Sequence, residues 1–326
     1  MEALSLKRAL FLSTAGRRSM IQTIAEGAGA DRAAGFFAEA EPHVPQEVAE
    51  AAMAAAKRNG ADVTVALGGG STIGLGKYIA VHGDIPWIAI PTTYSGSEMT
   101  PLFGFLKDGH KNTSRNLKAL PISVIYDPKL TVGLPPRLTA TSGMNGMAHL
   151  VEALYAQSPD PVSRLFAVEG IKNLAEGLRG SLRDPHDIEA RTKALYGAML
   201  GGSVVTTAGI AAHHRFCHVL GGAFGVPHGE SNTVMLPQIV RFNAEYAPQA
   251  MEQIAGALGC SNAARGLYDL VVELNAPTSL KELGLSLDQL EAVADRCVAE
   301  TPYNPAPVTR ETVMNVMRNA YEGIRP

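Results

Sequence analysis

Cysteine is scarce: Cys217, Cys260 and Cys297 are an odd number, spaced for neither a disulfide framework nor a Cys-x-x-Cys zinc site. A reducing, cytoplasmic setting is the expectation. An excess of either charge is missing too, and a net charge of −3 with a pI near 6.3 leaves no basic face for nucleic acid or an anionic membrane. Long hydrophobic runs are absent. The most apolar stretch, Ala198 to Ala212, is interrupted by Gly201, Gly202, Ser203, Thr206, Thr207 and Gly209, which excludes a bilayer span and reads as a buried, closely packed helix. The short apolar run ending at Ser13 lacks the length of a secretory leader and reads as a first β-strand. What the chain does hold is apolar material, 46% of 326 residues against 18% charged, enough for the cores of two domains. With nucleic acid and membrane set aside, a small-molecule partner is expected.

Along the first 130 residues, short β-like runs alternate with helical patterns, which predicts a parallel sheet covered by helices. The strand candidates are Ala9 to Leu12, Gly35 to Phe37, Asp62 to Leu67, Trp87 to Ile90 and Ile122 to Tyr126, with a helix over Ala49 to Arg58. Leu102 to Leu106 and Lys111 to Asn116 suit a hairpin against the sheet edge. Gly133-Leu134-Pro135-Pro136 then marks a stiff boundary at which neither strand nor helix interior can continue. Beyond it the pattern is helical: Met144 to Ala156, Val162 to Gly177, Asp187 to Ala211, Ala247 to Leu258, Ala264 to Leu274, Leu287 to Ala299 and Arg310 to Tyr321. The expected fold is a Rossmann-like α/β domain with a parallel sheet over residues 1–134, followed by an all-α domain over 135–326, with the active site in the cleft between them.

Gly68-Gly69-Gly70-Ser71 closes an apolar strand and opens a helix, where glycines let backbone approach phosphate and the helix N-terminus offers unpaired N–H groups. It is neither a Walker loop nor a G-x-G-x-x-G fingerprint. A polar turn after the next strand, Pro91-Thr92-Thr93-Tyr94-Ser95-Gly96-Ser97, places hydroxyls at the same carboxyl edge, where ligands of open α/β sheets bind. The histidines are the most telling feature. Asn145 and His149 share a helix face by their spacing of four, as do His214 and His218, and His228 follows in a Pro-His-Gly turn. Together these side chains could converge on one point.

In order and spacing, these segments resemble the iron-containing alcohol dehydrogenases, whose fold is shared with dehydroquinate synthase. In that family an aspartate and three histidines hold Fe²⁺ or Zn²⁺, and the resemblance places Asn145, His149, His214 and His228 at those positions. Carboxamide in place of carboxylate removes the anionic ligand. That change, with Ser142-Gly143-Met144-Asn145 and the doubled His213-His214, is similar to the maleylacetate reductase branch. The resemblance implies NADH-dependent reduction of maleylacetate to 3-oxoadipate in aromatic-compound degradation, a dicarboxylate substrate, a homodimer and no metal. It assigns the cofactor to Ser13, Thr14, Gly68, Gly69, Gly70, Ser71, Thr92, Thr93, Ser97 and Lys111. Substrate contacts are expected from Tyr94, His213, Arg215 and Tyr303. Because the turn Ser13-Thr14-Ala15-Gly16-Arg17-Arg18 carries no acid, NADPH is expected to be accepted as well.

Hydride addition to the conjugated alkene leaves an enolate, which the imidazoles would stabilise, with His218 or His149 supplying the proton. Two readings compete on the same fold: a metal-dependent alcohol or glycerol dehydrogenase and a dehydroquinate-synthase-like lyase. Asn145 argues against both. A catalytically silent nucleotide-binding protein is a third reading, at odds with the retained histidine set.

Overall fold

The protein is described here by a computed structural model covering residues 5–108, 110–158 and 160–326. Two compact units divide the chain: the residues up to Thr93 with Ser97–Thr131, and Tyr94–Gly96 with the residues from Val132 onward.

The first unit contains β1 (Ala9–Leu12), β2 (Ala33–Phe37), β3 (Val63–Gly68), β4 (Trp87–Pro91), β5 (Leu102–Lys107), β6 (His110–Arg115) and β7 (Ser123–Val124), with helices α1 (Arg18–Ala28), α2 (Gln46–Arg58) and α3 (Gly70–Gly83). A five-stranded parallel sheet runs in the order β2-β1-β3-β4-β7. Successive side chains point to opposite faces. Leu10, Leu12, Ala66, Trp87 and Ala89 therefore pack with α2 and α3 on one side. The intervening Ala9, Phe11, Val63, Val65, Leu67, Ile88 and Ile90 pack with Ile21 and Ala25 of α1 on the other. Burial on both faces is why these strands read as unbroken apolar runs. Each fully buried Leu or Phe among them contributes roughly 1.5–3 kcal/mol.

Two expectations change in this unit. The fifth strand narrows from Ile122–Tyr126 to Ser123–Val124, because Ile122 and Ile125 each give β4 a single N–H bond and are otherwise exposed at the sheet edge. The hairpin β5-β6 forms its own antiparallel sheet rather than lying on that edge. Phe105 of β5 meets Tyr78 of α3 edge-on, with ring centroids 5.2 Å apart, and the Leu106 N–H bonds to Val44 O.

The second unit is helical: α4 (Pro136–Tyr155), α5 (Pro161–Arg183), α6 (Ile188–Ala208), α7 (Ala212–Phe224), α8 (His228–Asn243), α9 (Pro248–Leu258), α10 (Ala263–Glu273), α11 (Leu287–Ala299) and α12 (Arg310–Glu322). The proline pair does not stop a helix from starting. Pro136 occupies the first turn of α4, where a missing N–H costs nothing. The helix expected over Asp187 to Ala211 ends at Ala208, since Gly209 takes φ +82° and turns the chain into α7. Helix α7 contains the expected helical pair His214 and His218, though its bounds were not foreseen, while α8 is an addition to the sequence-based reading, with Pro237 inside it. Glycines bring the helices close: a Cβ on Gly201 of α6 would stand 2.8 Å from the Gly146 carbonyl oxygen of α4. A separate core, with Phe216, Leu220, Met235, Ile239, Leu290 and Met317, joins α7, α8, α11 and α12. Among the described residues no single helix is long and apolar enough to cross a membrane; α6 and α7 reach that length only as a pair bent by 102°.

Candidate active site

At the carboxyl edge of the sheet, three glycines serve three different purposes. The Thr92 N–H bonds to Gly68 O at 3.0 Å, and a Cβ on Gly68 would collide with Thr72. One on Gly69 would stand 2.7 Å from the Thr93 methyl. Both glycines are therefore needed for the turns after β3 and β4 to pack. Gly70 differs, because a Cβ there meets nothing within 4 Å and the residue is exposed at the first position of α3. The N-cap, Gly69, offers no side chain, so the first N–H groups of α3 keep their partial positive charge for an anion. Ser13 is buried directly after β1, with Thr14 half-buried beside it; Ser71, Thr93 and Ser97 are half-buried and Thr92 is buried. The Lys111 side chain lies outside the described residues.

Beneath this edge is a buried polar group that periodicity does not reveal. Lys77 of α3 donates to Thr100 O and Thr100 Oγ1, both at 2.9 Å, and to Leu102 O at 2.7 Å. Burial lowers its pKa to about 7 against the opposing pull of Glu98. Glu98 is itself buried, is raised by desolvation, and accepts from the Tyr126 hydroxyl at 2.8 Å.

In the second unit the histidines gather. His149 and His214 stack with centroids 4.6 Å apart, His218 and His228 stack at 5.5 Å, and His214 lies 6.1 Å from His228 and 6.3 Å from His218. Helices α4 and α7 present the spaced pairs as expected. His228 is not in a turn but is the first residue of α8, after Pro227 with φ −56°. Asn145 is buried, and its Oδ1 has no protein partner among the described residues. The same is true of His214 Nε2.

Behind the cluster stands a residue that the sequence reading missed, Glu152, fully buried on α4 three positions after His149. Its Oε1 accepts the N–H groups of Ala211 and His213 at 3.1 and 2.9 Å, so it caps α7 from another helix. Its Oε2 lies 2.5 Å from His214 Nδ1. Burial raises the Glu152 pKa to about 7, opposed first by His213 and then by the backbone N–H groups. Desolvation, reinforced by His213, His218 and Arg215, holds His214 well below the ordinary histidine value.

Of the residues expected on the substrate, His213 and Tyr94 are fully buried, and the His213 Nε2 and the Tyr94 hydroxyl are engaged. His213 Nε2 donates to Asn232 Oδ1 at 2.8 Å, the Asn232 amide being committed to His228 O. The Tyr94 hydroxyl accepts from buried Arg191 at 2.9 Å. Both brace the site rather than offer it a group. Tyr303 donates to Tyr155 O at 3.2 Å, and half-buried Arg215 has an Nε with no protein partner among the described residues.

Comparison with known proteins follows the same division. Residues 1–128 match the family model for iron-containing alcohol dehydrogenase, and residues 139–321 match the C-terminal model of the Fe-containing alcohol dehydrogenase family. The maleylacetate reductase of Burkholderia cepacia is 46% identical over 100% of this chain and 92% of its own. The crystal structure of maleylacetate reductase from Agrobacterium tumefaciens is 43% identical with a TM-score of 0.96, covering 100% and 92%. That of an iron-containing alcohol dehydrogenase from Corynebacterium glutamicum is 38% identical with a TM-score of 0.94, covering 99% and 90%.

These matches overturn the expectation that no metal is involved, because both family models and the last structure are described by their iron. The side chains fit an ion in kind. Asn145 Oδ1 and His214 Nε2 lack protein partners, the rings of His149 and His228 adjoin His214, and Glu152 backs His214 as carboxylates commonly back ligating imidazoles. Among the described residues no three His, Cys, Asp or Glu side chains already stand in ligating positions, so the rings must turn to close on an ion. With both halves of the chain matched, and relatives alike over nearly their full length, the protein belongs to the iron-containing alcohol dehydrogenase family.

Proposed function

We propose that the protein reduces the C=C bond of maleylacetate to give 3-oxoadipate, using NAD(P)H, and that it serves the breakdown of aromatic compounds. The observation that carries this reading is the gathering of His149, His214, His218 and His228 in a chain similar to maleylacetate reductases over its whole length. The substrate is a conjugated enone flanked by two carboxylates. Nicotinamide, when bound, would supply a hydride to the alkene carbon β to the ketone, and the substrate would then be an enolate. An ion held by Asn145, His149, His214 and His228 would supply positive charge to its oxygen.

The chain's own groups do the remaining work. The uncapped N-terminus of α3 beside open Gly70 suits the cofactor pyrophosphate, and the resemblance assigns Ser13, Thr14, Ser71, Thr92, Thr93, Ser97 and Lys111 to the same cofactor. His218, the member of the histidine set not assigned to the ion, delivers the proton to the α-carbon. Arg215, with an unpartnered Nε, suits a substrate carboxylate. We further place the enzyme in the cytoplasm as a homodimer, in keeping with three free cysteines. The test is loss of nicotinamide absorbance on adding maleylacetate, with stoichiometric 3-oxoadipate. Oxidation of simple primary alcohols at a comparable kcat/KM, with maleylacetate left unchanged, would overturn the proposal.

A further inference from the structure

We infer that Glu152 is a positioning residue that sets which nitrogen of His214 carries the proton, and so turns the His214 Nε2 lone pair toward the imidazole cluster. This rests on the reading of that cluster as the active site. Glu152 belongs to α4, whereas its partners all belong to α7 or to the residue just before it. The Ala211 and His213 N–H groups occupy Oε1 at 3.1 and 2.9 Å and fix the plane of the carboxyl group. That leaves Oε2 aimed at His214 Nδ1 at 2.5 Å.

The two backbone donors lie at the N-terminus of α7, where the helix favours the anionic carboxylate. Once ionised, the carboxylate only accepts, so above the pH of its half-ionisation Nδ1 carries the hydrogen. Nε2 is then bare, and it is buried without a protein partner among the described residues. The neighbouring His213 is held in the opposite tautomer, because its Nε2 donates to Asn232 Oδ1 while its Nδ1 has no partner among the described residues. Adjacent histidines are thus sorted by their backing groups. Glu152 makes His214 an acceptor or a metal ligand, and Asn232 keeps His213 out of the site.

The substitution Glu152→Gln separates this role from packing. A glutamine Oε1 still accepts both backbone N–H groups, but its amide can only donate to Nδ1, which forces the proton of His214 onto Nε2. Nitrogen-15 histidine correlation spectra of the full-length apo protein should show His214 protonated on Nδ1 in the parent and on Nε2 in the variant. Titration with Zn²⁺ by calorimetry should show binding weakened by roughly 10 to 100-fold in Glu152→Gln, the range typical for loss of a group that orients a ligand. An unchanged tautomer in the variant, or zinc affinity within about twofold of the parent, overturns the role of Glu152. If Glu152→Gln does not fold, the parent spectrum decides alone, since an Nε2-protonated His214 there overturns it equally. Neither readout uses maleylacetate, so failure here leaves the proposed reaction standing, and failure of the reaction leaves the tautomer assignment standing.

Discussion

Asn145 is a carboxamide where the resemblance leads one to expect a carboxylate, and its effect can be isolated. It shares a face of α4 with His149, and its Oδ1 is buried without a protein partner. Asn145→Asp puts a formal charge at that place without changing shape. Changes in groups that merely orient ligands alter metal affinity by about 10 to 100-fold, and a charged ligand should do at least as much. Calorimetric titration with Zn²⁺ should therefore show at least about tenfold tighter binding in Asn145→Asp. Equal affinities would mean that residue 145 does not reach the ion. The spacing of Asn145, His149, His214 and His218 was legible because it needs only helical periodicity. Glu152 was in principle legible, as an acid within the apolar run Val151-Glu152-Ala153-Leu154 on the same face. Its partners at Ala211 and His213 were not, since only the tertiary fold brings them to it.

Helix α3 has two polar features along its length, an N-terminus without a side-chain cap at Gly70 and the buried amine of Lys77 two turns later. Burial lowers the Lys77 pKa from 10.5 to about 7 in the folded protein. The unfolded chain therefore binds more protons between those values, and folding stability rises with pH across that window. In Lys77→Met this slope disappears. Urea unfolding at pH 7 and pH 9.5 should show the stability difference between parent and variant widening, by at most about 1.4 kcal/mol per pH unit. A pH-independent difference would show that the amine stays charged in the fold. The elements that sequence reading placed well are those whose pattern is self-contained, such as β1, β3, β4 and α2. The bounds of α7 and the whole of α8 escaped because Gly209, Gly225, Pro227 and Pro237 break the pattern, while the buried His213, His214 and Asn232 look polar until their partners are known. Pro136 reads as a boundary and does stand at one, but the helix it opens, α4, begins ahead of the expected start at Met144.

Each of the two units closes its own cores, around the sheet in one and around α7 and α8 in the other. Ligands should therefore leave separate footprints in hydrogen exchange. Saturating NADH should slow exchange at the amides that open α3, and Zn²⁺ should slow it in α4 and α7. Zinc protection confined to the sheet unit would refute the imidazole site. The sheet order carries one more consequence, for synthesis of the chain. Strand β1 lies between β2 and β3, and Ala9, Leu10, Phe11 and Leu12 are all buried by partners that follow them. At ribosomal rates of about 5–20 residues per second, the stretch from Leu12 to Val63 takes several seconds to emerge. For that interval the most apolar strand of the nascent chain lacks its β3 partner, and it is the segment on which a chaperone waiting at the ribosomal exit would act first.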